Sequence, residues 1–249
     1  MSKYFTVEVT PTVTASRQHV AAFTVGDVLF DWTEVQIPKG TSKVIGATML
    51  VRPKGNSAVA ANIFGANLIF SKTNTQTLGT INSTPDQVPS NDFLGFIDLD
   101  DDNSFTSSTL KSTAVGMATR NSANGSTFPN ILITPSQQGA NVGFDKFYVG
   151  GQAAGAFDFR TIVRINDGDI DTSSPGTTLA TDGTSMDIRK HFIAGDVLHA
   201  HDDAVIGTVA SVTDATDLEL TAALSTGVLE DDDYVYNINP IRIILFFEQ

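Results

Sequence analysis

Apolar and polar residues alternate along much of this chain with a period of two. Phe5, Val7 and Val9 interleave with Thr6, Glu8 and Thr10, and Trp32, Glu34 and Gln36 interleave with Thr33, Val35 and Ile37. Successive side chains of an extended strand point to opposite faces, so these segments predict strands. Residues 43–51 (KVIGATMLV) are apolar almost throughout, as a central strand covered on both faces would be. Shorter runs at 67–71, 130–134 and 144–149 predict three more strands. Phe157, Phe159, Val163 and Ile165 predict another across 157–165. Gly, Pro, Asn or Asp bounds each run, the spacing of a sandwich or barrel.

Helical spacing is scarce. Residues 57–65 suit one or two turns, and Leu110, Ala114 and Met117 fall at helical spacing within an ambiguous Ser/Thr-rich stretch, 107–119. Two polar segments, 71–91 and 119–129, read as long loops, which in compact domains usually serve function or reach a partner. Residues 166–175 (NDGDIDTSSP) are acidic and small, and read as a linker. The expected fold is therefore all-β. A jelly-roll-like β-sandwich occupies 1–166, a small β-barrel is inserted over 167–238, and a last strand within 239–249 returns to the sandwich. That strand, from Ile241 to Phe247, is apolar except for Arg242 and needs cover, from residues 161–165 or from a neighbouring subunit.

The inserted stretch carries a resemblance. Its opening is Gly176-Thr177-Thr178-Leu179 with Asp182-Gly183-Thr184, followed by Phe192-Ile193-Ala194-Gly195-Asp196-Val197-Leu198. Then come Ile206-Gly207-Thr208-Val209, Asp217-Leu218-Glu219-Leu220 and Asp233-Tyr234-Val235-Tyr236. In order and spacing this resembles a small β-barrel module of bacteriophage structural proteins, over about a quarter of the chain. Residues 186–191 (MDIRKH) depart from the Gly-Thr repeats of that pattern. Independently of the resemblance, Gly195-Asp196 is turn chemistry between two apolar runs. The first 166 residues are similar to phage structural proteins only at the level of fold.

Composition narrows the function. Fifteen basic residues face twenty-eight acidic ones, a net charge of −13, and the basic residues form no stripe. Direct nucleic-acid binding is therefore not expected, since phosphate affinity rests on clustered Lys and Arg. No apolar stretch approaches a membrane span, and the N-terminus reads as a strand rather than a secretory signal. With no cysteine, stability must come from packing or assembly.

Candidate chemistry is sparse. Asp98, Asp100 and Asp102 have the first spacings of a calcium loop, but Asn103 and Thr109 stand where its Gly and bidentate Glu belong. His199 and His201 would share a face of a strand, where a transition metal could bridge them, although their segment reads as a solvated hairpin. Residues 230–233 form an acidic run, and His19 and His191 have no partner visible in the sequence. There is no G-x-S-x-G, no H-E-x-x-H and no Gly-rich phosphate loop. Phe64, Phe70, Phe93, Phe96, Phe144, Phe147, Phe157 and Phe159 are read as core. No catalytic, cofactor or metal site is assigned.

Together these readings predict a non-enzymatic virion protein without cofactors. The favoured form is a capsid decoration or cement protein on the outer surface of the head, a homo-oligomer, favoured as a trimer, bound to the major capsid protein or other virion proteins. A tail, neck or fibre component is the alternative within that class. A glycan-binding or adhesion module, with calcium at Asp98 to Asp102, is the alternative outside it.

Overall fold

In a computed structural model of the chain, the period-two segments become strands. It describes residues 3–52, 65–86, 91–99, 104–105, 113–115, 130–135, 144–161, 176–181, 187–224, 229 and 233–249. In chain order the elements are β1 (Tyr4–Val9), a short helix α1 (Ala15–Val20), β2 (Val28–Gln36), β3 (Ser42–Val51), β4 (Ala66–Ser71) and β5 (Phe93–Leu99). There follow β6 (Ser104–Phe105), β7 (Thr113–Val115), β8 (Ile131–Ile133), β9 (Lys146–Ala153) and β10 (Thr178–Ala180). The last are β11 (Val197–His199), β12 (Val205–Val212), β13 (Asp217–Leu220), β14 (Tyr236–Asn237) and β15 (Ile241–Glu248).

The molecule is mostly β, and every pairing between these strands is antiparallel. One sheet runs β1-β15-β3-β7-β6, with β8 also on β3; a second runs β2-β9-β4-β5; a third, smaller one runs β10-β13-β12-β11-β14. The apolar last strand lies between β1 and β3, hydrogen-bonded along both edges. Its alternation is literal: Ile241, Ile243, Leu245 and Phe247 are buried, while Arg242 faces solvent.

Aromatic rings join the first two sheets. Phe247 of β15 stacks on Phe5 of β1 at 5.0 Å and meets Phe147 of β9 edge-on at 6.0 Å. Phe147 in turn lies 6.0 Å from Phe70 of β4. On β9, Gly151 makes room for Phe30, since a Cβ there would come within 2.1 Å of that ring. Most buried apolar residues of the three sheets form one continuous cluster, and Val28, Ile69 and Leu78 form a second, smaller one.

Several expectations need correction. Among the described residues the inserted stretch does not close into a barrel. Among these residues it is an open sheet, with β10 paired to β13 at one edge and β14 to β11 at the other. Residues 188–190, within the stretch that departs from the Gly-Thr repeats, form a 3-10 turn. The strand expected over 157–165 is absent where it can be seen. Phe157 makes a single bridge to Phe23, and Phe159–Thr161 is a 3-10 turn. The phenylalanine alternation there serves an aromatic cluster instead. Phe23 and Phe157 stack at 4.7 Å, and Phe159 meets both rings edge-on. Residues 113–115, within the ambiguous 107–119 stretch, are strand, while the helical option at 57–65 lies almost wholly outside the described residues.

The phenylalanines divide. Phe70, Phe147, Phe157 and Phe159 are buried, but Phe93, Phe96 and Phe144 are about half exposed. On β5 the inward positions belong to Ile97 and Leu99, so Phe96 shares the outer face with Asp98. Phe64 lies outside the described residues.

Candidate functional site

The densest polar chemistry lies where the small sheet meets α1 and β3. It begins with the Gly195-Asp196 turn. Gly195 adopts φ +93°, a conformation that a side chain would strain, and this brings Asp196 back toward the body. The Asp196 carboxylate accepts the backbone N–H of Ile193 at 2.9 Å and receives Arg52 in a fork, Nη1 to Oδ2 at 2.6 Å and Nη2 to Oδ1 at 2.8 Å. Arg52 Nη1 also donates to the carbonyl of His191 at 2.7 Å. The planar guanidinium matches two carboxylate oxygens at once, so the pair fixes an orientation as well as a contact.

Helix α1 makes three further contacts with the small sheet. Ser16 donates its backbone N–H to Asp203 Oδ1 at 2.8 Å and its hydroxyl to Oδ2 at 2.6 Å. Gln18, buried, donates through Nε2 to the carbonyls of Val13 at 2.7 Å and Asn237 at 2.9 Å. His19 follows Gln18 in the helix, and its Nδ1 lies 2.7 Å from the Tyr236 hydroxyl. Tyr234 and His201 complete this cluster, with ring centroids 5.7 Å and 5.1 Å from His19.

Environment sets the protonation states. Burial holds His19 below the usual histidine range, His201 and Arg160 add to that effect, and Asp233 opposes it. Burial raises Tyr236, with Tyr234 and Asp158 contributing. Both groups are thus neutral near neutral pH. A phenol is the better donor and a neutral imidazole the better acceptor, so Tyr236 donates to His19 Nδ1.

The residues singled out in the sequence do not converge. His199 is buried at the end of β11, and its Nδ1 donates to the Asp203 carbonyl at 3.1 Å. The strand stops there, so His201 falls in the following turn and faces His19, not His199. Asp98 lies on the outer face of β5 opposite Asn67, while Asp100 and Asp102 lie outside the described residues. Of the acidic run, only Asp233 is described. Among the described residues no group of three or more His, Asp or Glu side chains is placed to hold a metal ion.

The sequence reading missed Arg52, Ser16, Gln18 and His19 as junction residues. Their partners are 139 or more positions away, and no local pattern links such positions. His191, the other isolated histidine, is buried edge-on against Phe192. No protein-family model, curated protein or solved structure matches the chain.

Proposed function

We propose that this chain is a non-enzymatic structural component of a bacteriophage virion, a decoration or cement protein on the outer surface of the head. The observation that carries this reading is strand order. Set aside β6, a two-residue strand on the outer edge of β7, and let β7 and β8, which both pair with β3, count as one position; eight positions then follow in chain order: β1, β2, β3, β4, β5, β7/β8, β9, β15. One sheet then reads first, eighth, third, sixth, and the other second, seventh, fourth, fifth. That order is the one two Greek keys give in a jelly-roll sandwich, an architecture that recurs in viral capsid and lectin domains, and it supports the reading. The small sheet is inserted between the seventh and eighth positions.

Fold alone names no function. The resemblance of residues 176–237 to a phage structural module supplies the second support. Its Gly195-Asp196 turn is the same turn that receives Arg52. The exposed Ile193, Val197 and Val205 of this module offer apolar contacts suited to the major capsid protein or to sister subunits of a trimer. A net charge of −13 with no basic stripe suits protein contacts better than nucleic acid.

Cryo-electron microscopy of purified virions tests the proposal. Density for this subunit on the outside of the head, grouped in threes, is the expected result. Density confined to the tail, neck or fibres overturns the head placement. Absence of the chain from virions overturns the reading itself.

A further inference from the structure

We infer that the outer face of the β5-β4-β9 sheet is a binding site for neutral saccharides, a role independent of where the protein sits. The register builds that face in two rows. Asp98, Asn67 and Gln152 lie side by side across the three strands, and Phe96, Ile69 and Gly150 form the next row. Asn67, Ile69, Gln152, Phe96 and the nearby Phe93 line a hollow of about 270 Å³.

Two features set this hollow apart from ordinary surface. Phe93 and Phe96 are 48% and 50% exposed, although the core beneath them is closed by Ile97 and Leu99. Large rings left half in water serve packing poorly, and grouped together they mark a contact surface. The hollow also ends where other side chains stop covering the sheet. Leu78 and Trp32 fill the space over Gly150, and Leu78 and Val28 cluster with Ile69 on that flank.

The chemistry selects the ligand class. Rings on one side and amides on the other fit a sugar, whose C–H faces stack on aromatic carbon while its hydroxyls take directed hydrogen bonds. Gln152 gives its Nε2 to the Gly26 carbonyl at 2.8 Å, which fixes the amide and presents Oε1 as an acceptor. Asn67 adds both a donor and an acceptor. Among the described residues no Lys or Arg lines the hollow, and the net charge of −13 repels sialylated or sulfated glycans. Ligand pockets usually span roughly 300–1,000 Å³, so this hollow holds one sugar ring with neighbours lying across the sheet.

The test is a panel of immobilised neutral and anionic oligosaccharides probed with the full chain, followed by calorimetric titration of the tightest neutral hit. Binding of neutral members only is expected. Phe96→Ala and Asn67→Ala should each weaken it about tenfold, and Phe144→Ala, which removes a half-exposed ring elsewhere, should leave it unchanged. Thermal melts of each variant confirm that it is folded, and Asn67→Ala decides the matter if Phe96→Ala is not. The inference is overturned if no neutral glycan binds, if only anionic ones do, or if the folded hollow variants bind as the parent does. An equal loss in Phe144→Ala would also overturn it.

Discussion

The two larger sheets and the small one solve the same problem with different means. In the larger pair, seven strands of six to ten residues carry the two sheets, with β6, β7 and β8 as short additions, and Phe247 meets Phe147 edge-on between them. In the small sheet, β10, β11 and β14 are two or three residues long, and among the described residues Phe192 and Tyr236 are its buried phenylalanine and tyrosine. So little apolar surface sustains an independent fold poorly. The small sheet instead shares its core with the body and is tied down by polar contacts from Arg52, Ser16, Gln18 and His19. The larger sheets should therefore be broken by removing carbon, and the small one by removing a hydrogen bond.

The largest effect is expected from Phe247→Ala. The ring is fully buried on an inner strand of its sheet and packs on both Phe5 and Phe147. Emptying such a site costs about 3–5 kcal/mol. Chemical denaturation should show the whole chain losing stability together, since β15 is hydrogen-bonded to both β1 and β3. If the small sheet lost protection while the larger ones kept theirs, the assignment of the main core to β15 would fail.

Arg52→Ala comes next and should act locally. The side chains of Arg52 and Asp196 are 23% and 9% exposed, so the substitution strands a mostly buried carboxylate that keeps only its bond from Ile193 N–H. A loss of about 2–3 kcal/mol is expected. Hydrogen exchange should accelerate across β11 to β14, with β2 and β9 unchanged. A uniform rise would show that the two regions unfold as one unit and that the contrast between them is false.

A weaker and reversible perturbation is available through pH. His19 titrates below its unfolded value of about 6.5, so the unfolded chain binds its proton more readily than the folded one does. The stability from this group is complete above that value. It declines as pH falls below 6.5 and through the folded pKa of His19. Acid should therefore loosen the contact between α1 and β14 first, because a protonated His19 faces His201 and Arg160, with only Asp233 opposing, and can no longer accept from Tyr236. Histidine ring NMR titrations should show the depressed pKa. His201→Asn should move it back toward the usual range, and His19→Gln should flatten the local pH dependence.

The same contrast explains what the sequence made legible. The strands at 5–9, 43–51 and 67–71 could be read because a sheet face buried over many residues imposes a repeating local pattern. Where structure depends on one distant contact, the pattern misled. Phe157 and Phe159 alternate like a strand, yet their spacing answers to Phe23, more than 130 residues earlier. His199 and His201 would share a face only in a continuous strand, and β11 ends between them. The hollow on β5 was hidden for a related reason. Both faces of that strand are apolar, so alternation could not tell which phenylalanines point outward.

The smallest expected effect makes the sharpest test, because it uses the same residue type as Arg52. Arg242 on β15 donates to Glu8 on β1, across the outer face of the main sheet. Their side chains are 52% and 48% exposed, so water screens the pair and solvates either partner when the other is removed. The β1–β15 register is already set by six residue pairs and by the buried row from Ile241 to Phe247. Arg242→Ala should thus change stability by no more than about 0.5 kcal/mol in a denaturant titration, and added salt should erase the difference. A loss as large as that of Arg52→Ala would mean that the main sheet also depends on its ion pairs, and the division of labour between carbon and charge would have to be given up.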